Sequence, residues 1–180
     1  MSSKKHYIIT SIVLGSIAAV SGALIGVTNL ITKDRIAENE ANKIKEGIKE
    51  IFDQNDVKFQ GFELQDAGLN EEDYKYVTYM YVVKDASDND IGVAFKTSGS
   101  NMYGKMSLIV GYDAESQLFI DLSVIVNEQT YATTLVDNYI NPLHDGTISI
   151  DDVSCGATYG AKLVRDMVYD AQSAAEEYYK

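Results

Sequence analysis

The sequence predicts an α+β protein: an N-terminal transmembrane helix followed by an antiparallel-sheet domain that a C-terminal helix closes. Three observations predict it. Residues 7–32 carry no formal charge, four β-branched and aromatic runs fall between residues 77 and 126, and a helical period returns at residue 158. The composition is that of a folded chain, since 46% of the 180 residues are hydrophobic and 23% are charged.

The first element is the anchor, expected over residues 1–32 with its short N-terminal tail. At about 1.5 Å per residue, its 26 uncharged residues reach roughly 39 Å, more than a hydrocarbon core of ~30 Å needs. Ser21-Gly22-Ala23 resembles a processing site, but the apolar run continues through Leu24, Ile25, Val27, Leu30 and Ile31, longer than a signal h-region. An uncleaved anchor is therefore expected, and with no cysteine following the run it is not a lipoprotein anchor. Lys4 and Lys5 on one side balance Lys33 and Arg35 on the other, so charge does not set the orientation. With so few residues ahead of the run, a cytoplasmic N-terminus and an extracytoplasmic domain is the simpler arrangement. Gly15, Ala18, Ala19, Gly22 and Gly26 recur along one side, and Gly22–Gly26 is a GxxxG match that admits a partner helix. The competing reading is the ordinary Gly and Ala content of membrane helices.

Residues 33–52 read as a helical stalk in which Ile36, Ile44, Ile48 and Ile51 recur among charges. Residues 53–180 then form the folded domain. Its expected strands are residues 77–83, 91–97, 106–112 and 118–126, separated by polar turns at 84–90 and 113–116. From residue 158 onward Ala161, Val164, Val168, Ala171 and Ala175 fall on one face of the closing helix.

Charge and residue counts exclude several functions. The net charge is −12, and beyond Arg35 only 11 basic side chains face 26 acidic ones, a surface that repels phosphate backbones. Nucleic acid is not an expected partner. One cysteine makes neither an internal disulfide nor a thiolate cluster, and His6 and His144 stand too far apart in sequence to suggest a metal site. Residues 99–105 have the outline of a phosphate loop, but Met106 replaces the magnesium-binding hydroxyl and a strand follows where a helix should. Asp88-Asn-Asp90 lacks the Glu that completes a calcium loop and reads as a hairpin turn. No Gly-x-Ser-x-Gly element supports a serine hydrolase.

One motif survives. Asp152-Val-Ser-Cys-Gly-Ala-Thr158 leads straight into the closing helix. Gly156 and Ala157 let a bulky group approach the backbone, and an anion on the Thr158 hydroxyl would meet free N–H groups and the positive end of the helix dipole. The same residues also suit an ordinary helix cap with Thr158 exposed.

This stretch resembles the flavin-attachment signature Asp-x-x-Ser/Thr-Gly-Ala-Thr of the FMN-binding domain family. That family includes the G subunit of the Rnf electron-transport complex and the C subunit of the sodium-pumping NADH:quinone reductase. The resemblance implies FMN bound covalently through a phosphoester on Thr158, installed by a flavin transferase that takes FMN from FAD. It makes Asp152, Gly156, Ala157 and Thr158 the segment that the transferase recognises, with Ser154 and Cys155 beside the cofactor. Residues 103–113 resemble the family strand Gly-x-Ile-x-x-x-Val-Gly-Ile-Asp, and Asn127-Glu-Gln-Thr130 resembles a segment that usually reads Glu-Thr-Pro-Gly. Glu128 and Thr130 are accordingly implied flavin neighbours, and Tyr103 and Tyr131, which border these segments, are candidates to flank the ring. The chain departs from the pattern at Cys155, where Ser or Thr is usual, at Gly160-Ala161 in place of Thr-Ser, and at Tyr131-Ala132 in place of Pro-Gly. Cys155 reads either as a redox-active thiol or as a small buried filler.

The expected function is a single-pass electron-transfer subunit that relays electrons within an Rnf-type ion-translocating complex, with other membrane subunits as partners. It is not a stand-alone catalyst and uses no catalytic dyad, because the cofactor carries the chemistry. Two alternatives stay open: a free-standing extracytoplasmic flavin carrier, and an anchored binding domain without flavin.

Overall fold

The computed structural model describes residues 2–53 and 56–180, with side chains described from Tyr7 onward except at positions 30 and 34. Lys4, Lys5, His6 and Leu30, which entered the reading of the anchor, have side chains outside the described set. The chain divides into two compact units, Met1–Asn42 and Lys43–Lys180.

The first unit is helical throughout its described residues and belongs to α1 (Ser2–Ile51). Ile8, Ile12, Leu14, Ile17, Val20, Leu24 and Ile25 are all exposed, so nothing in the unit covers its apolar surface. The helix is long and apolar enough to cross a membrane. Two of its hydroxyls are satisfied within the helix, as suits a lipid environment. Ser16 Oγ donates to the Ile12 carbonyl at 2.8 Å and Thr32 Oγ1 to that of Thr28 at 2.9 Å.

The second unit is built on a five-stranded antiparallel meander in sequence order: β1 (Lys58–Phe62), β2 (Val77–Lys84), β3 (Asp90–Asn101), β4 (Gly104–Asp113) and β5 (Phe119–Asn127). Strands β2 to β5 coincide with the four runs of β-branched and aromatic residues. Strand β1 is an addition, an edge strand pairing Lys58 with Lys84 and Phe62 with Met80. Period-2 alternation sends two sets of side chains to opposite faces. Val93, Phe95, Met106, Leu108, Val110 and Tyr112 enter one core with α4 (Thr158–Tyr178), whose Ala161, Val164, Val168, Ala171 and Ala175 are buried as the helical face predicts. Val83, Ala94, Ile109 and Ile125 point the other way, onto Ile44, Ile48 and Ile51 of the last turns of α1. Ile36, read from the same pattern, is exposed.

Two features fix these layers. A Cβ on Gly47 would come within 2.8 Å of Ser123, so glycine lets α1 lie close on β5, where Lys43 Nζ donates to the Ile125 carbonyl at 3.0 Å. On the opposite face the Asp170 carboxylate of α4 accepts the Tyr76 and Val77 N–H groups at 2.6 and 3.2 Å, and the Tyr112 hydroxyl donates to the Val168 carbonyl at 2.6 Å. Burial drives the Tyr112 phenol far above its ordinary pKa, keeping it a hydrogen-bond donor.

Between β5 and α4 the chain makes α2 (Ala132–Leu135), a π-helical turn (Val136–Ile140) and α3 (Asn141–His144) without a break. The His144 imidazole Nδ1 sits 2.6 Å from Asp121 of β5, tying the end of α3 to the sheet.

Candidate functional site

The hairpin joining β3 and β4 pairs Asn101 with Gly104, leaving Met102 and Tyr103 at its tip. Gly104 has a φ of +139°, and a Cβ there would run into the Glu128 carbonyl, so the tip is pressed onto the segment after β5. That contact is pinned by the Tyr103 carbonyl, which accepts from Thr130 N–H at 2.7 Å and Thr130 Oγ1 at 3.1 Å. Asn101 Nδ2 donates to the Tyr159 carbonyl at 3.1 Å, fastening the same tip to the first turn of α4. Hairpin, post-β5 segment and α4 thereby converge on a cavity of about 280 Å³ lined by residues that include Tyr103, Gln129, Tyr131, Leu135, Thr158 and Tyr159.

The loop entering α4 is held from behind. Asn138 Nδ2 of the π-helical turn donates to the Cys155 carbonyl at 3.1 Å, and the neighbouring Tyr139 hydroxyl donates to the Ile150 carbonyl. A π-turn widens the helix locally, and here its two consecutive polar groups serve one loop. Tyr169 Oη donates to Asp151 at 2.9 Å, and that bond raises the phenol's pKa. Asp152 accepts the Ser149 N–H at 2.8 Å, closing the turn before the loop.

At its end the loop bends through Gly156, whose φ is +83°. Ala157 follows as N-cap without a side-chain cap bond, and its carbonyl takes both the Gly160 and the Ala161 N–H at 2.9 and 3.0 Å. Among the described residues, the N–H groups of Gly156, Ala157, Thr158 and Tyr159 have no acceptor. Thr158 is half-buried, lines the cavity and opens α4. A hydroxyl beside four consecutive unpaired donors at a helix start suits a singly attached phosphate. The residues therefore fit the phosphate end of an FMN, and the cavity gives it a concave neighbour.

Of the residues named from sequence, Tyr103, Tyr131, Gly156, Ala157 and Thr158 come together in the cavity wall. Glu128 and Thr130 are exposed on either side of Gln129, the residue of that segment that does line the cavity. Ser154 is exposed, Asp152 is exposed and engaged with Ser149, and Cys155 is half-buried with its carbonyl held by Asn138. The cavity adds Gln129, Leu135, Tyr159 and Gly160. Gln129 is 6% exposed, and its Nε2 donates to the Gly104 carbonyl at 2.5 Å. Gly160, where the family pattern has Thr, leaves room for Leu135, which a Cβ would approach to 2.9 Å.

A family model described as the RnfG N-terminal region matches residues 1–51. The match supports resemblance to the RnfG subunit of the Rnf complex. It lies on the long apolar helix, which fits a single-pass membrane anchor, and does not extend to the cavity. No curated protein and no solved structure matches the chain.

Proposed function

We propose that this chain is a membrane-anchored electron-transfer subunit of an Rnf-type complex that carries one FMN esterified to Thr158. The observation that carries the reading is the Thr158 hydroxyl at the start of α4, in a cavity wall and next to four unpaired backbone donors. The family match on the anchor and the motif around Thr158 support it independently, because they lie at opposite ends of the sequence.

In this reading the transferase recognises Asp152, Gly156, Ala157 and Thr158. The Thr158 Oγ1–phosphorus bond forms as the FAD pyrophosphate bond breaks, and AMP and the hydroxyl proton leave. The bound FMN supplies the electron chemistry. The chain's own residues hold the phosphate on the α4 N–H groups, shape the cavity, and present it outside the cytoplasm.

Expressed with its transferase, the full chain should gain the mass of one FMN less water, and its yellow fluorescence should survive denaturing electrophoresis. Thr158→Ala should abolish both while the thermal transition stays in place. A wild-type chain of unmodified mass, recovered beside a transferase that modifies a control substrate, would overturn the reading.

A further inference from the structure

We propose that Tyr103, Tyr131 and Tyr159 form a slot that grips a planar ring system; that the ring is a flavin rests on the reading above. The three side chains come from three elements, the β3–β4 tip, the N-cap of α2 and the first turn of α4. The Tyr103 ring touches both of the others, with centroids 5.7 Å from Tyr131 and 5.4 Å from Tyr159. The rings are inclined to Tyr103 by 60° and 44°, so they splay instead of stacking. Tyr131 and Tyr159 remain 52% and 58% exposed, which leaves large aromatic faces bare beside a concavity.

The bases of these side chains are fixed although their faces are bare. Thr130 bonds the Tyr103 carbonyl, Asn101 Nδ2 bonds the Tyr159 carbonyl, and Asn101 Oδ1 accepts the Tyr103 N–H at 2.8 Å. A ligand would therefore find the slot already assembled, without the cost of ordering it. The ligand class follows from size and lining. About 280 Å³ lies just below the ~300 to ~1,000 Å³ of ligand cavities, and suits one fused ring system better than a dinucleotide. With its Nε2 committed to Gly104, Gln129 of the cavity wall has no partner for Oε1 among the described residues, leaving an acceptor for a ring edge that carries N–H. None of the three tyrosine hydroxyls has a hydrogen-bond partner among the described residues, so replacing them with phenylalanine keeps the packing and breaks no bond.

Emission per attached flavin tests the slot. Tyrosine in contact with an excited flavin quenches it by donating an electron, whereas phenylalanine, much harder to oxidise, does not. Full-length wild type in detergent should be dim when folded and brighten several-fold in denaturant. Per attached flavin, the triple variant Tyr103→Phe, Tyr131→Phe, Tyr159→Phe should be bright when folded. A wild type equally bright folded and unfolded, or a triple variant as dim as wild type, overturns the slot while leaving the Thr158 linkage standing. Should the added mass be missing from wild type, the linkage fails instead, and the slot is judged by titrating free FMN into the Thr158→Ala chain. Saturable quenching that the three phenylalanines abolish supports the slot; no quenching overturns it.

Discussion

Gly156 is the residue on which the loop turns. Its φ of +83° lies in the left-handed region, where a Cβ costs about 1–2 kcal/mol, and that Cβ would also sit 3.4 Å from the Thr134 methyl group. Gly156→Ala should lower the urea midpoint slightly with an unchanged m-value. On the proposed linkage it should slow flavin attachment far more, because the strain falls two residues before Thr158. The check is the fraction of chain modified with time, by intact mass. Attachment at the wild-type rate would show that the left-handed bend is not needed for recognition. The loop is thus specified by one backbone conformation plus the two side chains of the π-helical turn that hold its carbonyls, Asn138 and Tyr139.

At the scale of elements, the contact between α3 and β5 carries a pH dependence. Asp121 raises the pKa of His144 chiefly through their hydrogen bond, opposed by partial burial and helped by the charges of Glu50 on α1 and Asp145 beside it. A histidine whose folded pKa is raised adds stability that is fully present below the ordinary imidazole value. That stability is lost as pH rises through the folded value. The melting temperature of the full chain should therefore fall from mildly acid to mildly alkaline pH, and His144→Gln should flatten that slope. An unchanged slope in the variant would show that another group sets it. The elements differ in how plainly the sequence announces them. Strands β2 to β5 carry unbroken β-branched and aromatic runs, and α4 repeats small and branched residues at helical spacing, so their periods suffice. Strand β1, Lys-Phe-Gln-Gly-Phe, has a glycine and two long polar residues in five positions and is held by pairing with β2, not by its own pattern. The stretch from Ala132 to His144 hides its helicity behind Thr133-Thr134, Asp137-Asn138 and Pro142, and tertiary packing of Leu135, Tyr139 and Ile140 overrides those local preferences. The cavity was legible only where a motif marked it. Thr158 has that mark. Gln129 sits in a segment matched for its neighbours, and Tyr159 could have been found only by noting that it shares the first helical turn with Thr158.

For the whole molecule, placement and company can each be tested. If the domain lies outside the cytoplasm, a cysteine at Ser87, in the exposed turn between β2 and β3, should react with an impermeant thiol reagent on intact cells in a Cys155→Ser background. Labelling only after lysis would reverse the topology. The anchor's small-residue strip predicts its company. Apart from the helix's own backbone and the adjacent residues, no described residue comes within 4 Å of a Cβ placed at Gly15, Gly22 or Gly26, so a neighbouring helix can approach there. Gly22→Ile should strip partner subunits from the protein purified out of native membranes, while flavin attachment survives. The same partners in both preparations, or none in either, would rule out assembly through this strip.

The position of Thr158 has a consequence for timing. Thr158, the proposed acceptor, is the first residue of a helix whose following twenty residues include Ala161, Val164, Met167, Val168 and Ala171, the side chains that seat it on the sheet. The meander ahead of it is built from neighbouring hairpins and can pair as it emerges, but without α4 there is no cavity wall and no fixed loop for Thr158 to stand on. A transferase that reads the assembled loop must therefore wait for synthesis to pass well beyond its target. On the proposed linkage, cofactor loading becomes a late quality check: a chain that carries the flavin has already folded α4.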